Sequence, residues 1–329
     1  MGKALIVLRE IDYYTRMAYG VYRLLRYPPI RDHAAWLGEQ MAQRETRFLD
    51  LARRIVFGNP RHPYHEMFRL AGCDYEALAG LVGSQGLEGA LSSLAARGVF
   101  LTHDEFKGKT PIVRAGRQIQ STPGSWDNPL VRGHLEGRSG GSRSPGSPTR
   151  YSPQFHVYRE LYEGLTSREF GLAQRVRLHM GPILPSTLAI TDGLRLAHAG
   201  ERLEKWFTMP GTLHEEGHYR AVTHLLVRLA RLLGGPLPFP TDLPANDFTP
   251  VARWIAGRKQ LGQACAVRSF VSPALRVAAA AKDAGIDIAG TIFLVGGEAL
   301  TDAKSASFAA VGCEAYARYS INEIGAIGM

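Results

Sequence analysis

The chain has 329 residues, 45% of them hydrophobic and 21% charged, enough apolar material for one large domain or two ordinary ones. Its formal net charge of +9 comes from bases dispersed along the chain, with no Lys/Arg block interleaved with aromatics, so no nucleic-acid partner is expected. Ala4–Leu8 is too short for an export signal, no apolar run reaches the ~18 to 20 residues that cross a bilayer, and Cys73, Cys265 and Cys313 stand far apart. The expectation is a cytoplasmic protein with no membrane insertion and no disulfide framework.

Residues 1–98 read as a mostly helical N-terminal segment. Tyr19, Tyr22, Leu24 and Leu25, then Trp36, Leu37, Met41, Phe48, Leu49 and Leu51, recur at helical spacing. Tyr27-Pro28-Pro29 and Gly58-Asn59-Pro60 break the pattern, and Tyr75–Leu81 and Gly86–Gly98 read as two short helices. Val99–Thr102 and Pro111–Arg114 read as extended, and Gly116–Arg150 as loop by composition. Helical patterns return over Tyr158–Leu178 and Glu215–Leu233, and Pro236–Pro250 is a proline-rich connector. Helices are predicted over Val251–Gly262, Ser272–Gly285 and Thr301–Val311, with strands over Ile286–Val295 and Glu314–Tyr319. Strands alternating with helices predict an α/β fold with a largely parallel sheet across 99–329.

Three segments have residue types suited to nucleotide chemistry. Gly140-Gly141-Ser142-Arg143-Ser144-Pro145-Gly146-Ser147-Pro148-Thr149-Arg150 is dense in groups that turn backbone N–H and hydroxyls toward one anion, with Arg138, Arg143 and Arg150 as charged donors. Gly296-Gly297-Glu298 follows a predicted buried strand, where paired glycines let a flat ligand approach the backbone. Tyr319-Ser320-Ile321-Asn322-Glu323 puts a ring, small polar groups and a carboxylate within five residues. Taken singly, these read first as a linker, a turn and a polar loop.

In this order, the three segments resemble motifs of the adenylate-forming superfamily of acyl- and aryl-coenzyme A ligases, most of all the phenylacetate–coenzyme A ligase branch. Gly146-Ser147-Pro148-Thr149 matches the end of that family's phosphate loop. Gly296-Gly297-Glu298 matches its adenine contact, and Tyr319, Asn322 and Glu323 match its Tyr-Gly-x-Ser/Thr-Glu motif. The sequence differs from the family pattern at Arg143 and Ser320, where glycine is usual, and at Ser147, often lysine.

The resemblance implies an enzyme that activates a small carboxylic acid with ATP and passes the acyl group to coenzyme A. It implies that Ser142, Arg143, Ser144, Gly146 and Thr149 bind phosphate, and that Gly296, Gly297, Glu298 and Tyr319 contact adenine. Asn322 and Glu323 would be catalytic, with Glu323 holding Mg2+. The family's ribose-binding aspartate, hinge and small C-terminal domain with its lysine would fall beyond residue 329. Residues 99–329 are therefore expected to be the ATP-binding part of an incomplete adenylation domain, inactive alone.

Two alternatives stand beside this one. The first is a non-catalytic nucleotide-binding relative. The second is a zinc metalloprotease, since His214-Glu215-Glu216-Gly217-His218 matches H-E-x-x-H and His224 stands where a third ligand would be. Against the protease, Gly217 lies inside the motif and the apolar pattern Val222, Leu225, Leu226, Leu229 runs straight on as helix.

Overall fold

The computed structural model describes residues 2–30, 32–130, 135–138, 148–209, 217–321 and 325–328. They form two compact units: Asp32–Arg132, and Met1–Arg31 together with Gly133–Met329.

The smaller unit is helical. It contains α1′s sequence neighbours α2 (His33–Ala42), α3 (Arg44–Leu51), α4 (Pro63–Leu70), α5 (Tyr75–Ala96) and α6 (His103–Phe106), with a hairpin of β1 (Ile112–Arg114) and β2 (Arg117–Ile119); α1 itself (Gly2–Leu25) belongs to the larger unit. Its core is Met67, Phe68, Leu78, Val82, Ala90, Leu94 and Ile112. Asp74 caps α5, and Gly86, at φ 69, bends it into the two stretches that the sequence separates. Val99–Thr102 is not a strand. Thr102 instead caps α6 in a reciprocal box with Glu105, and Arg114 grips that Glu105 at 2.7 Å.

The larger unit is built on a six-stranded, wholly parallel sheet of β5 (Val176–Met180), β6 (Leu203–Thr208), β7 (Pro240–Asp242), β8 (Cys265–Phe270), β9 (Ile292–Gly296) and β10 (Glu314–Ala317). The spatial order is β10-β9-β8-β5-β6-β7. The chain runs outward from β5 to β7, then returns to β8 and runs out the other way, so the order reverses between β5 and β8. Ligands of such doubly wound sheets sit outside the carboxyl ends of the strands at that reversal.

The crossover helices are α8 (Leu188–His198), α9 (Gly217–Leu232), α10 (Thr249–Gln260), α11 (Val271–Asp283) and α12 (Asp302–Ala309), and α7 (Pro153–Glu169) precedes the sheet. The first-half helices α8 and α9 cover one face with α1, where Trp206, Val157, Ile190, Leu194, Leu226 and Val227 pack. α10, α11 and α12 cover the other, around Leu178, Phe207, Val267, Val277, Phe293, Val295 and Phe308. Two-stranded ribbons pair β3 (Leu135–Arg138) with β4 (Pro148–Tyr151), and β11 (Tyr319–Ile321) with β12 (Gly325–Gly328).

The α/β fold with its parallel sheet agrees with the sequence pattern, but several elements do not. The predicted helix Tyr158–Leu178 starts earlier, where Ser152 caps Phe155 and Pro153 sits in the first turn. It ends at Glu169, and the stretch through Leu178 becomes β5. The strand predicted over Ile286–Val295 contracts to β9, because Thr291 and Gly290 turn the chain through bonds to Ile288 and Gly312. α1 groups with the sheet unit rather than with the rest of 1–98, since Met17, Val21 and Leu24 are buried against α8 and α9 residues.

Candidate functional site

Strand alternation gives the sheet two chemically different faces. In β5 and β8, Leu178 lies opposite Val267, which lies opposite Phe293 of β9, all toward α10–α12. The residues between them point the other way, and there His179 lies opposite Arg268. α7 meets this second face with His156, Arg159, Glu160 and Glu163, an i, i+3, i+4, i+7 stripe that is polar where an apolar stripe would be usual. α8 adds Asp192 and Arg195 one turn apart, and Arg318 enters from the end of β10.

These side chains form one ionic cluster, with His156, His179, Asp192 and Arg195 buried and Arg159, Glu163, Arg268 and Arg318 part-buried. Glu163 accepts from Arg318 Nη2 at 2.9 Å and pairs with Arg195 at 3.1 Å and Arg268 at 3.2 Å. Asp192 accepts from Arg195 Nη2 at 3.1 Å, meets His179 Nδ1 at 2.9 Å, and is bonded to Arg268 as well. Asp192 is 3% exposed and Arg195 2%. The Arg175–Gly290 and Arg177–Glu201 contacts tie down the start of β5, at the other end of the strand from His179.

Burial alone would raise both carboxyl groups, but the arginines outweigh it. Glu163 is held well below the usual carboxylate range by Arg195, Arg268, Arg318 and Arg159, and Asp192 by Arg268, His179 and Arg195. The cations feel the converse. Burial, with repulsion from Arg195 and other arginines, lowers Arg159 to about 9, and burial with Arg268 lowers Arg318 to about 10. His156, 1% exposed, is pushed well below its ordinary value by burial and then by Arg195 and Arg159, so it stays neutral. His198 is raised, first by its hydrogen bond to Glu160 and then by the Tyr27 carbonyl, against the lowering effect of burial.

Among the described residues, several buried polar atoms on this face lack a partner: Arg195 Nη1, Arg159 Nε and both ring nitrogens of His156, one a donor and one an acceptor. A cavity of about 60 Å³ lies among α7, α8 and the sheet, lined by Glu163, Asp192, Arg195, Arg268 and Arg318 among others.

The segments singled out from sequence fall in two places. At the end of β9, Gly296 comes so close to the Arg318 carbonyl that a Cβ would sit 3.2 Å from it, and Arg318 N donates to the Val295 carbonyl at 2.7 Å. The Gly-Gly-Glu turn and the start of the Tyr319 segment are thus brought together at the carboxyl ends of the strands. Gly297, at φ 80, lies over Phe270, and a Cβ there would be 2.7 Å from that ring. The Glu298 carboxylate accepts from Ser272 N at 3.3 Å and Ser272 Oγ at 2.5 Å, which caps the start of α11 and holds its pKa down. Its carboxylate is therefore a cap on the start of α11, with Lys304 3.8 Å away. The Tyr319 ring is 63% exposed.

Thr149 lies in β4 opposite Gly137, on the ribbon whose connection contains Ser142, Arg143, Ser144 and Gly146; those four residues, with Asn322 and Glu323, lie outside the described residues. So do His214, Glu215 and Glu216 of the H-E-x-x-H match. His218 lies tilted against the Tyr219 ring and approaches Glu10 at 3.8 Å, while His224, six residues on, packs against Phe239. Six residues of helix turn the two imidazoles about 240° apart, so they do not share a helix face. Among the described residues no group of three His, Cys, Asp or Glu side chains is placed to hold a metal. All three thiols are buried, and burial pushes Cys265 and Cys313 up to about 11, which disarms them as nucleophiles.

The ionic cluster was not foreseen from sequence, although its trace is present. Val176-Arg177-Leu178-His179-Met180 alternates with period two, and the α7 stripe repeats at helical spacing. Both patterns carry charge on the side that turns out to be buried. No family model and no curated protein matches the chain.

Proposed function

We propose that this chain is the nucleotide-binding part of an enzyme that activates a carboxylic acid with ATP and hands the acyl group to coenzyme A. One observation carries the reading: the Gly296–Glu298 turn and the Arg318–Tyr319 segment meet backbone to backbone at the carboxyl ends of β9 and β10, the outer strands of the second half of the sheet. A nucleotide there would have a flat, glycine-lined wall and an exposed phenol ring to stack on.

In the proposed reaction the carboxylate oxygen attacks the α-phosphorus of ATP, forming the acyl-adenylate and releasing pyrophosphate. The coenzyme A thiol then attacks the acyl carbon and displaces AMP. The chain's own contribution is orientation and charge: Tyr319 stacks on adenine, the Gly296-Gly297 backbone fits its edge, and Thr149 with the preceding loop holds phosphate. Mg2+, when bound, supplies neutralising charge to the phosphates, with Glu323 as its expected ligand.

The test is ATP–pyrophosphate exchange by the natural gene product across a panel of aryl and fatty acids. Exchange that depends on one acid class supports the reading. Silence across the panel, with no ATP binding, would refute it.

A further inference from the structure

We infer that the outer faces of α1 and α9 form one docking surface for an anionic phospholipid bilayer. The inference stands whether or not the chain activates carboxylic acids. Both helices belong to the larger unit and lie side by side in the same direction. Glu10 and Tyr14 of α1 meet His218 in the first turn of α9. Leu25, the last residue of α1, lies against Gly235 just past α9, where a Cβ would be 3.0 Å from the leucine side chain. Each helix buries one side in the same core, α1 through Met17, Val21 and Leu24 and α9 through Leu226, Val227 and Ala230. At about 100° of turn per residue, the opposite sides carry Tyr19, Tyr22 and Arg26 on α1, and Leu225, Arg228 and Leu232 on α9. The two outer faces therefore run on from one another.

This surface is apolar where a helix normally meets water. Leu225 is 62% exposed, Leu232 85%, Tyr19 45% and Tyr22 44%. Around them stand four exposed arginines, Arg23, Arg26, Arg228 and Arg231. Among the described residues none of the four has a carboxylate partner; Arg23 rests over the Tyr19 ring and Arg231 over that of Phe239. The charge is segregated in the sequence as well, for residues 13–31 and 217–241 contain no Asp or Glu. Of the described acids that flank those stretches, Asp12 pairs with Arg16, Asp242 pairs with Arg220, and Asp32 caps α2.

Charge and apolar exposure together select the partner. A bilayer with anionic headgroups offers phosphates to the arginines and an acyl boundary to the leucines and tyrosines at once. A second copy of the same face would set arginine against arginine. A nucleic acid would satisfy the arginines and leave the leucines with nothing to pack on. Among the described residues no helix is long and apolar enough to cross a membrane, so the contact is peripheral.

The experiment is co-sedimentation of the chain with vesicles of phosphatidylcholine alone and of phosphatidylcholine mixed with phosphatidylserine, at low and high salt. Binding should require phosphatidylserine and weaken as salt screens the charges. Each arginine near such a surface contributes about fivefold in affinity, so Arg26→Glu with Arg228→Glu should weaken binding by about 25-fold or more. Leu225→Ser with Leu232→Ser leaves the arginines in place and should weaken binding about tenfold. All four positions are exposed, so both double variants should melt with the parent chain, which separates lost docking from lost fold. No sedimentation with either vesicle, equal sedimentation with both, or full binding by either double variant would overturn the inference. So would a dimer in light scattering that the leucine variant dissociates, or tighter binding to RNA that depends on the arginines and ignores the leucines.

Discussion

The two faces of the six-stranded sheet are made by the same strands, residue by alternating residue, and are buried in opposite ways. Toward α10–α12, Leu178, Val267 and Phe293 form a dry, fully apolar layer. Toward α7 and α8, His179 and Arg268 stand in the next rung and meet Asp192, with Arg268 reaching Glu163 as well. The apolar layer needs no partner to be stable, because dispersion and water release act between any well-packed groups. The ionic layer is stable only while each charge keeps its counterpart, since removing one partner leaves a buried charge uncompensated. A fold keeps such a layer at low net gain, so the two faces differ in what a single substitution costs.

The largest effect that would break this comparison is expected from Glu163→Ala. It strips Arg195, Arg268 and Arg318 of a shared acceptor and should cost about 3 to 5 kcal/mol in urea unfolding. A loss below about 1 kcal/mol would mean that the cluster is wet and loosely coupled. On the other face, Leu178→Ala should cost a comparable or slightly smaller amount, about 2 to 5 kcal/mol, through the cavity it leaves. The two should differ in kind. The loss from Leu178→Ala should not follow carboxylate protonation, and that from Glu163→Ala should hold steady between about pH 5 and 8 and shrink only below about pH 4.

The pH dependence sharpens the contrast further. Glu163 and Asp192 have depressed pKa values, so their contribution is present above the ordinary carboxylate range, about pH 4, and fades as pH falls through their folded values. The two histidines oppose each other near neutrality. His156 is held neutral, so the unfolded chain binds the extra proton and stability falls as pH drops below about 6.5. His198 is raised, so its contribution is full below about 6.5 and is lost as pH rises through its folded value. The parent chain should therefore show a shallow profile from pH 6 to 7. His156→Gln should tilt it toward acid stability and His198→Gln toward alkaline stability, each by up to about 1 kcal/mol per pH unit. Matching slopes in all three proteins would contradict the assigned charge states. The smallest effect on stability is expected from Tyr319→Ala, within about 0.5 kcal/mol, because the ring is mostly exposed.

What the sequence revealed and what it hid follow the same division between apolar and charged burial. The second half of the sheet unit was legible because Phe293, Leu294 and Val295 form a continuous apolar run and α11 and α12 follow with helical periodicity. The short strands β5, β6 and β8 were missed because their buried faces include arginine, histidine, lysine or serine, which look like solvent-facing residues in a linear reading. The ionic cluster was hidden for the same reason. Its members come from α7, β5, α8, β8 and the residue after β10, and only the parallel topology brings them together. The Gly296–Glu298 turn and Tyr319 were picked out by residue type, yet the role of the Glu298 carboxylate as a helix cap became visible only from the neighbouring Ser272.

The central claim, that the strand-end crevice receives a nucleotide, is tested most directly by calorimetric titration of ATP with Mg2+ into the parent chain and Tyr319→Ala. Base–aromatic stacking is worth about 1 to 3 kcal/mol, so the variant should bind about 5- to 150-fold more weakly while melting at the parent's temperature. Absence of saturable ATP binding by the parent chain, or equal affinity in the two proteins, would contradict the claim.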